Sequence, residues 1–125
     1  MNLVDSSAWL EYFADGPNAS FFARPIEDPG ELVVPSLTVY EVFKRVLQQR
    51  DESDALRAVA VMQQGMIVDL DVQLALSAAR LSLETRLPMA DSVVLATARR
   101  HDATLWTQDA DFATLPSVRY RSKRH

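Results

Sequence analysis

The chain has 125 residues, a mass of 14.0 kDa and a formal net charge of −4, so we expect a single domain spanning residues 1–125. The absence of cysteine excludes disulfides, thiolate metal sites and thiol nucleophiles. No apolar run reaches the ~18 residues of a membrane span, and "MNLVDSSAW" lacks the basic start of a secretory signal. We therefore expect a cytoplasmic protein without membrane association.

The first half of the chain predicts two strands, each followed by a helix. "NLV" before Asp5 predicts a short strand, and residues 6–14 predict a helix capped by its own serines. The stretch "DGPN" then breaks the helical pattern. "ELVVP" at 31–35 predicts the second strand, and residues 36–50 predict a helix with Ser36 as its cap.

The second half continues the alternation of strand and helix. Gly65 is predicted to end a helix in a left-handed conformation. A later helix carries the apolar stripe Val72, Leu76, Ala79 and Leu83. The predicted elements are a helix over 52–64, a strand over 66–70, helices over 71–86 and 88–100, a strand over 103–107 and an edge strand over 118–120. This alternation predicts a three-layer α/β/α sandwich with a mostly parallel central sheet.

Acidic residues follow two of the predicted strands. Asp5 ends the first strand, and Asp109 and Asp111 follow the strand "ATLWT". Because the carboxyl ends of parallel strands meet at one edge of the sheet, we expect these acids to share that edge. An Asp-rich surface turn is the alternative explanation for "TQDADF", since Asp hydrogen-bonds its own backbone in turns.

Two further acids lie in predicted helices. Asp91 is on the apolar face of its helix, because it precedes Val94, Leu95 and Ala98 by three, four and seven positions. Its alternative role is to complement the helix dipole, which contributes about 0.3 to 1 kcal/mol. Glu41 lies almost opposite the apolar stripe of its helix, so periodicity alone predicts that it faces solvent.

Converging acids favour a divalent metal site. Two carboxylates ~5 Å apart repel by roughly 3 kcal/mol at an effective dielectric of ~20, which equals about two pKa units. Such a group takes up protons or holds a cation, and oxygen ligands favour Mg²⁺ or Mn²⁺. The two histidines, His101 and His125, lack metal-ligand spacing, and no phosphate-binding glycine loop or Gly-x-Ser-x-Gly turn is present.

Three segments together resemble the PIN-domain ribonucleases, and among these the toxin subunit of bacterial VapBC toxin–antitoxin modules. They are "LVDSSAWLEYF", "VPSLTVYEVFKRV" and "LPMADSVVLATARRHDATLWTQDADF", and they are spread along the chain from residue 3 to residue 112. The resemblance implies a PIN-like fold and a catalytic acidic quartet of Asp5, Glu41, Asp91 and Asp109. It implies a metal ion, Mg²⁺ or Mn²⁺, held by Asp5, Asp91 and Asp109. It also implies that Glu41 lies beside these acids, contrary to the solvent-facing position that helical periodicity predicts.

The resemblance also assigns auxiliary positions. Asp111 is a fifth acid, and Ser6 and Thr107 fall where relatives carry hydroxyls beside the metal. An ordinary cap or turn is the alternative role for both hydroxyls.

The implied activity is a Mg²⁺-dependent endoribonuclease that hydrolyses RNA phosphodiester bonds without a protein nucleophile. The implied partners are the RNA substrate, a cognate antitoxin and a second copy of the chain in a homodimer. Candidate RNA-binding residues are Lys44, Arg45, Arg99 and Arg100. The last seven residues, "RYRSKRH", hold four Lys or Arg and no acid, so this basic end could also meet phosphates, unless it is simply solvated.

Two other functions compete with a nuclease. A receiver-like phosphoacceptor domain would use Asp5, Asp69, Thr107 and Lys123, but "VDSS" lacks its acidic pair and "RSKRH" lacks its Lys-Pro. A non-catalytic protein-binding module of the same fold would use the acids only to bind a regulator's arginine. The sequence leaves this second alternative open.

Overall fold

The computed structural model describes residues 1–124, and His125 lies outside the described residues. Within this range five strands alternate with six α-helices, and single-turn 3-10 helices occupy Pro29–Glu31 and Ala110–Phe112. The main elements are β1 (Asn2–Val4), α1 (Ser6–Phe13), α2 (Ala19–Ile26), β2 (Leu32–Pro35), α3 (Ser36–Gln49), α4 (Glu52–Met62), β3 (Met66–Val68), α5 (Val72–Thr85), α6 (Met89–Arg100), β4 (Thr104–Thr107) and β5 (Val118–Tyr120).

The five strands form one sheet in the order β3-β2-β1-β4-β5, and every neighbouring pair is parallel. Leu3 of β1 is in register with Val33 of β2 on one side and Leu105 of β4 on the other. The chain adds β2 and β3 on one side of β1, and β4 and β5 on the other. This reversal between β1 and β4 is where open α/β sheets bind ligands, outside the carboxyl ends of the strands.

Alternating side chains of the central strands fill two separate cores. Leu3 and Leu105 pack with residues of α5 and α6 on one face of the sheet. Val4 and Trp106, one position further along, pack with residues of α1 to α4 on the other face. This period of two produces the three layers, so the predicted α/β/α sandwich with a parallel sheet is confirmed.

The ends of several helices differ from the predictions. α1 is capped by Asp5, whose side chain accepts a hydrogen bond from the Ala8 backbone, rather than by its own serines. α3 follows Pro35 and has no side-chain cap, so Ser36 does not play the predicted role. α2 was not predicted, because "DGPN" precedes it and Pro25 lies inside it.

Gly65 does not adopt the predicted left-handed conformation, since no described glycine has a positive φ. A Cβ atom at this position would lie 2.9 Å from Val34 Cγ2 and 3.0 Å from the Leu32 carbonyl oxygen. Close packing against β2 therefore explains this glycine.

The buried face of α5 also differs from the predicted stripe. Val72 and Leu83 are 75% and 86% exposed, and Leu76 and Ala79 are exposed as well. The residues that contact the core are instead Leu74, Ala78 and Leu81. Among residues 1–124, no helix is long and apolar enough to cross a membrane.

Candidate metal centre

Asp5 is held rigidly between β1 and α1 at the point where the strand order reverses. Its side chain is buried, and Oδ2 accepts a 2.7 Å hydrogen bond from the Thr107 hydroxyl. Oδ1 accepts from the Ser7 hydroxyl at 2.8 Å and from the Ala8 amide at 3.1 Å. The Thr107 oxygen in turn accepts from the Asp109 amide at 2.9 Å, which links the ends of β1 and β4.

Three more carboxylates converge beside Asp5. Asp91 lies in the first turn of α6, and Asp109 and Asp111 lie in the turn after β4. One carboxylate oxygen from each of these three residues lies within 4.8 Å of the other two. Oxygens on opposite sides of a Mg²⁺ ion, each about 2.1 Å from it, are about 4.2 Å apart. The spacing and the oxygen-only chemistry therefore fit a hard divalent cation.

Burial and mutual repulsion raise the pKa of two of these acids. Burial raises the pKa of Asp5 to about 6, although the hydrogen bonds from Thr107, Ser7 and Ala8 oppose the shift. Burial, followed by the nearby charges of Asp109, Asp5, Asp111 and Glu41, raises the pKa of Asp91 to about 7. A cation in the cluster would remove this repulsion, because it favours the ionised form of every carboxylate around it.

Glu41 borders the same cluster, although its periodicity predicted a solvent-facing side chain. It is half-buried, and burial raises its pKa, while the neighbouring Ser6 hydroxyl partly offsets the rise. Its charge also contributes to the raised pKa of Asp91. The side chain is therefore only partly exposed, because Ser6 at the start of α1 lies against it.

The candidate RNA-binding cations lie in two places. Lys44 and Arg45 are exposed and line a surface cavity of about 380 Å³ together with Glu41. Arg99 and Arg100 lie in the last turn of α6, about 13 Å along the helix axis from its first turn. Arg100 also forms a bidentate ion pair with Asp71, at 3.0 and 3.2 Å, so its guanidinium is already occupied.

Several residues that contact the centre were not among those predicted from the sequence. Ser7, rather than Ser6, donates to Asp5. Asn18 is fully buried, and its Nδ2 donates to Gln108 Oε1 at 3.1 Å and to the Ser122 carbonyl at 2.9 Å. Only the position of Gln108, between Thr107 and Asp109, could have indicated this network, because buried polar residues in loops leave no periodic pattern.

The position of Asp69 does not support a receiver-like site. Asp69 is exposed and follows β3, which lies at the edge of the sheet with β2 between it and β1. Receiver domains have the strand order 2-1-3-4-5, in which β3 is next to β1. Asp69 is thus two strands away from Asp5.

Comparisons with known proteins agree with this architecture. A PIN-domain family model matches residues 3–117. A search of curated proteins found no matching sequence. Among solved structures, a chain of a toxin–antitoxin complex from Klebsiella pneumoniae is similar, with a TM-score of 0.81, 23% identity, and coverage of 95% of this chain and 96% of that chain.

Two other solved structures share the fold at lower identity. VapC20 of Mycobacterium tuberculosis, described as a toxin that cleaves the sarcin-ricin loop, has a TM-score of 0.77 at 16% identity, covering 93% of this chain and 95% of its own. A DNA-bound VapBC from Salmonella typhimurium has a TM-score of 0.73 at 14% identity, covering 98% of each chain. With a family model that spans nearly the whole sequence, the chain belongs to the PIN-domain family.

Proposed function

We propose that this protein is a Mg²⁺- or Mn²⁺-dependent endoribonuclease that acts as the toxin of a toxin–antitoxin pair. The observation that carries the proposal is the convergence of Asp91, Asp109 and Asp111 within 4.8 Å, beside the buried Asp5. Membership of the PIN-domain family supports it. So does the likeness to toxins such as the sarcin-ricin loop cleaving VapC20.

In this proposal Asp5, Asp91 and Asp109 hold the ion. The oxygens within 4.8 Å of one another are those of Asp91, Asp109 and Asp111, so Asp111 is close enough to be a further ligand, and Asp5 adjoins the group through its charge interaction with Asp91. The raised pKa of Asp91, about 7, means that part of the metal-free protein carries a proton there at neutral pH. Metal binding must displace this proton, so affinity should rise with pH. The bound ion supplies Lewis-acid stabilisation of the charge that develops on the phosphodiester and its leaving oxygen.

The chain's other residues serve to orient these acids. Thr107 fixes the Asp5 carboxylate and receives the Asp109 amide, so one hydroxyl sets the relative position of two proposed ligands. Glu41 adds negative charge at the border of the cluster and is the proposed fourth acid of the quartet. The attacking group is a water molecule, so the reaction needs no covalent intermediate with the protein.

We further propose two protein partners, a cognate antitoxin and a second copy of the chain. The similar Klebsiella and Salmonella structures are a toxin–antitoxin complex and a VapBC, respectively. An antitoxin arginine would complement the acidic cluster through charge-assisted hydrogen bonds. Light scattering on the isolated chain tests the homodimer, since a monomer mass at working concentration contradicts it.

The decisive experiment incubates the protein with total RNA at fixed salt, with Mg²⁺ or with EDTA. We expect cleavage only with Mg²⁺, and its loss in Asp5→Asn and Asp109→Asn. Asn retains helix-capping ability, so both variants should remain folded. Asp28→Asn is the matched control, because Asp28 is exposed and its side chain caps no helix.

The same experiment separates the nuclease from a non-catalytic arginine-binding module. If RNA stays intact with Mg²⁺ while an arginine-rich peptide binds the wild type and not Asp109→Asn, the binding module is correct. Full cleavage by both Asn variants removes the acidic cluster from the mechanism.

A further inference from the structure

A surface beside β5 gathers cations in a chain that is acidic overall. Arg119 lies in β5 and Arg121 directly follows its end, and their guanidinium groups lie over Trp106 and Phe21, which belong to the same core face of the sheet. Arg24 in the last turn of α2 lies on that face too, since it lines a surface cavity of about 360 Å³ with Arg119. We call Arg24, Arg119 and Arg121 the arginine track.

Two aromatic rings support the guanidinium groups of the track. Arg119 Cζ lies 5.1 Å from the centroid of the Trp106 ring, and Arg121 Cζ lies 4.2 Å from that of Phe21. The two ring centroids are 5.0 Å apart. Such cation–π contacts hold a planar guanidinium over a ring and leave N–H groups at its edge available to a ligand. The track is therefore preorganised for an anion.

The track arginines have no acidic partner within the described part of the chain. The ion pairs found among residues 1–124 use Arg50, Arg57, Arg100 and the N-terminal amine. Trp106 is only 7% exposed, so its ring supports Arg119 and offers little surface on which a base could stack. The chemistry offered to a ligand is thus a row of positive charges and N–H donors, which suits phosphates.

One end of the track adjoins the candidate metal centre. The Arg121 amide donates to the Thr107 carbonyl at 3.0 Å. The Asn18 side chain donates hydrogen bonds both to the carbonyl of the next residue, Ser122, and to the side chain of Gln108, which directly precedes Asp109. The other end lies near the beginnings of β1 and β4, because Asn2 and Thr104 line the cavity of Arg24. The track therefore runs along the sheet towards the acids.

We propose that the arginine track binds backbone phosphates of single-stranded RNA and guides the strand to the acidic cluster. This inference rests on the proposed function, since it takes RNA as the substrate. The Cα atoms of Arg119 and Arg121 are about 7 Å apart, comparable with neighbouring phosphates of an extended strand. An acidic centre repels RNA, so binding requires a positive path that reaches it.

The test measures RNA binding by fluorescence anisotropy in EDTA, so that binding is observed without cleavage. The probe is a labelled single-stranded RNA of about 12 nucleotides, within the range of single-strand site sizes, titrated at about 50 to 200 mM salt. The variants are Arg119→Gln, Arg121→Gln and the double variant. Arg80→Gln is the matched control, because Arg80 is an exposed arginine on α5, outside the track.

Each track variant should reduce the slope of log affinity against log salt by about 0.7, the value for one phosphate contact on a single strand. The double variant should bind about tenfold more weakly at low salt. Arg121→Lys should keep the wild-type slope but lose part of the affinity, because an ammonium does not stack on Phe21 as a guanidinium does.

The outcomes separate this inference from the proposed function. Binding by the track variants equal to that of Arg80→Gln overturns the track, even if the wild type cleaves RNA. Labelled polyglutamate, measured in the same way, serves as the probe for an acidic protein. If the track variants lose binding to polyglutamate while their RNA binding is unchanged, the inference is overturned in favour of an acidic protein partner. If the variants weaken RNA binding as expected but no protein cleaves RNA with Mg²⁺, the track stands and the nuclease proposal fails.

Discussion

Replacing Asp91 by Asn should stabilise the metal-free protein at neutral pH. The pKa of Asp91 is raised from 3.8 to about 7, so the folded state disfavours its ionised form. No hydrogen bond found within residues 1–124 uses the Asp91 side chain, so Asn removes the charge without removing a bond. Asn is also almost the same size. We therefore expect the variant to lose metal binding and gain stability together.

The size of the effect follows from the pKa shift. Three units correspond to about 4 kcal/mol if the shift applied in full. Asp91 is only half-buried, and solvent screens its repulsion from the exposed Asp111, so we expect about 1 to 2 kcal/mol. For a chain of this length that is an increase in Tm of roughly 3 to 8 °C.

The assay is urea and thermal unfolding in EDTA at several pH values. The gain should be near zero at pH ~4, grow up to pH ~7 and then stay constant. Between these pH values wild-type Asp91 takes up a proton on folding, whereas above its folded pKa it is ionised in both states and the folded state bears the full cost of the charge. The control Asp28→Asn, at an exposed acid outside the cluster, should show no such gain. An Asp91→Asn protein no more stable than wild type at pH 8 would refute the electrostatic reasoning.

The remaining predictions concern the same site and one position in the fold. The free energy of unfolding of the metal-free wild type should fall between pH ~4 and ~7, because a raised carboxyl pKa means that the folded state binds protons more tightly than the unfolded state. Mg²⁺ should restore this stability at pH 8. A flat profile of stability against pH in EDTA contradicts the pKa shifts of Asp5 and Asp91. Thr107→Val leaves Asp5 without one donor and should lower Mg²⁺ affinity about 10- to 100-fold; recovery in Thr107→Ser, measured by Mg²⁺ titration of cleavage, is the control. Gly65→Ala should lower the free energy of unfolding, measured in urea, by about 1 to 3 kcal/mol, since its Cβ would lie 2.9 Å from Val34 Cγ2. An unchanged urea midpoint would show that β2 shifts to accommodate the methyl group.

The order of strands and helices was predictable because buried parallel strands appear as short apolar runs between helical segments. The stretches "NLV", "LVVP" and "TLWT" all become strands of the sheet. The helix α2 was not predictable from the same signals, because Gly16, Pro17 and Pro25 are helix breakers in isolation. Tertiary packing of Phe22 and Ile26 against β1 and α1 overrides these local preferences.

The faces of helices were harder to predict than the helices themselves. Periodicity finds an apolar stripe but cannot tell whether a neighbour covers it, and the predicted stripe on α5 is exposed at both Val72 and Leu83. It also cannot tell that Ser6 at the start of α1 lies against Glu41 on the polar side of α3, so periodicity predicts a solvent-facing side chain where the structure has a half-buried one. Only the family resemblance indicated its place beside the acids.

The turn or cap explanation for the aspartates and the metal-site explanation are compatible, because a hydrogen bond to one lone pair leaves others for an ion. Asp109 Oδ1 accepts from the Asp111 amide, as in an Asp-rich turn, and Asp5 caps α1. The three hydrogen bonds to Asp5 occupy most of its roughly four acceptor sites, which leaves one on Oδ2, the oxygen that Thr107 contacts. The same bonds that make Asp5 a structural residue also fix the direction in which it can offer an oxygen, whereas the hydrogen-bond-free carboxylate of Asp91 can adjust to the ion. A rigid acid and an adjustable acid in one cluster would let the proposed metal site, assembled from both halves of the chain, form before an ion binds.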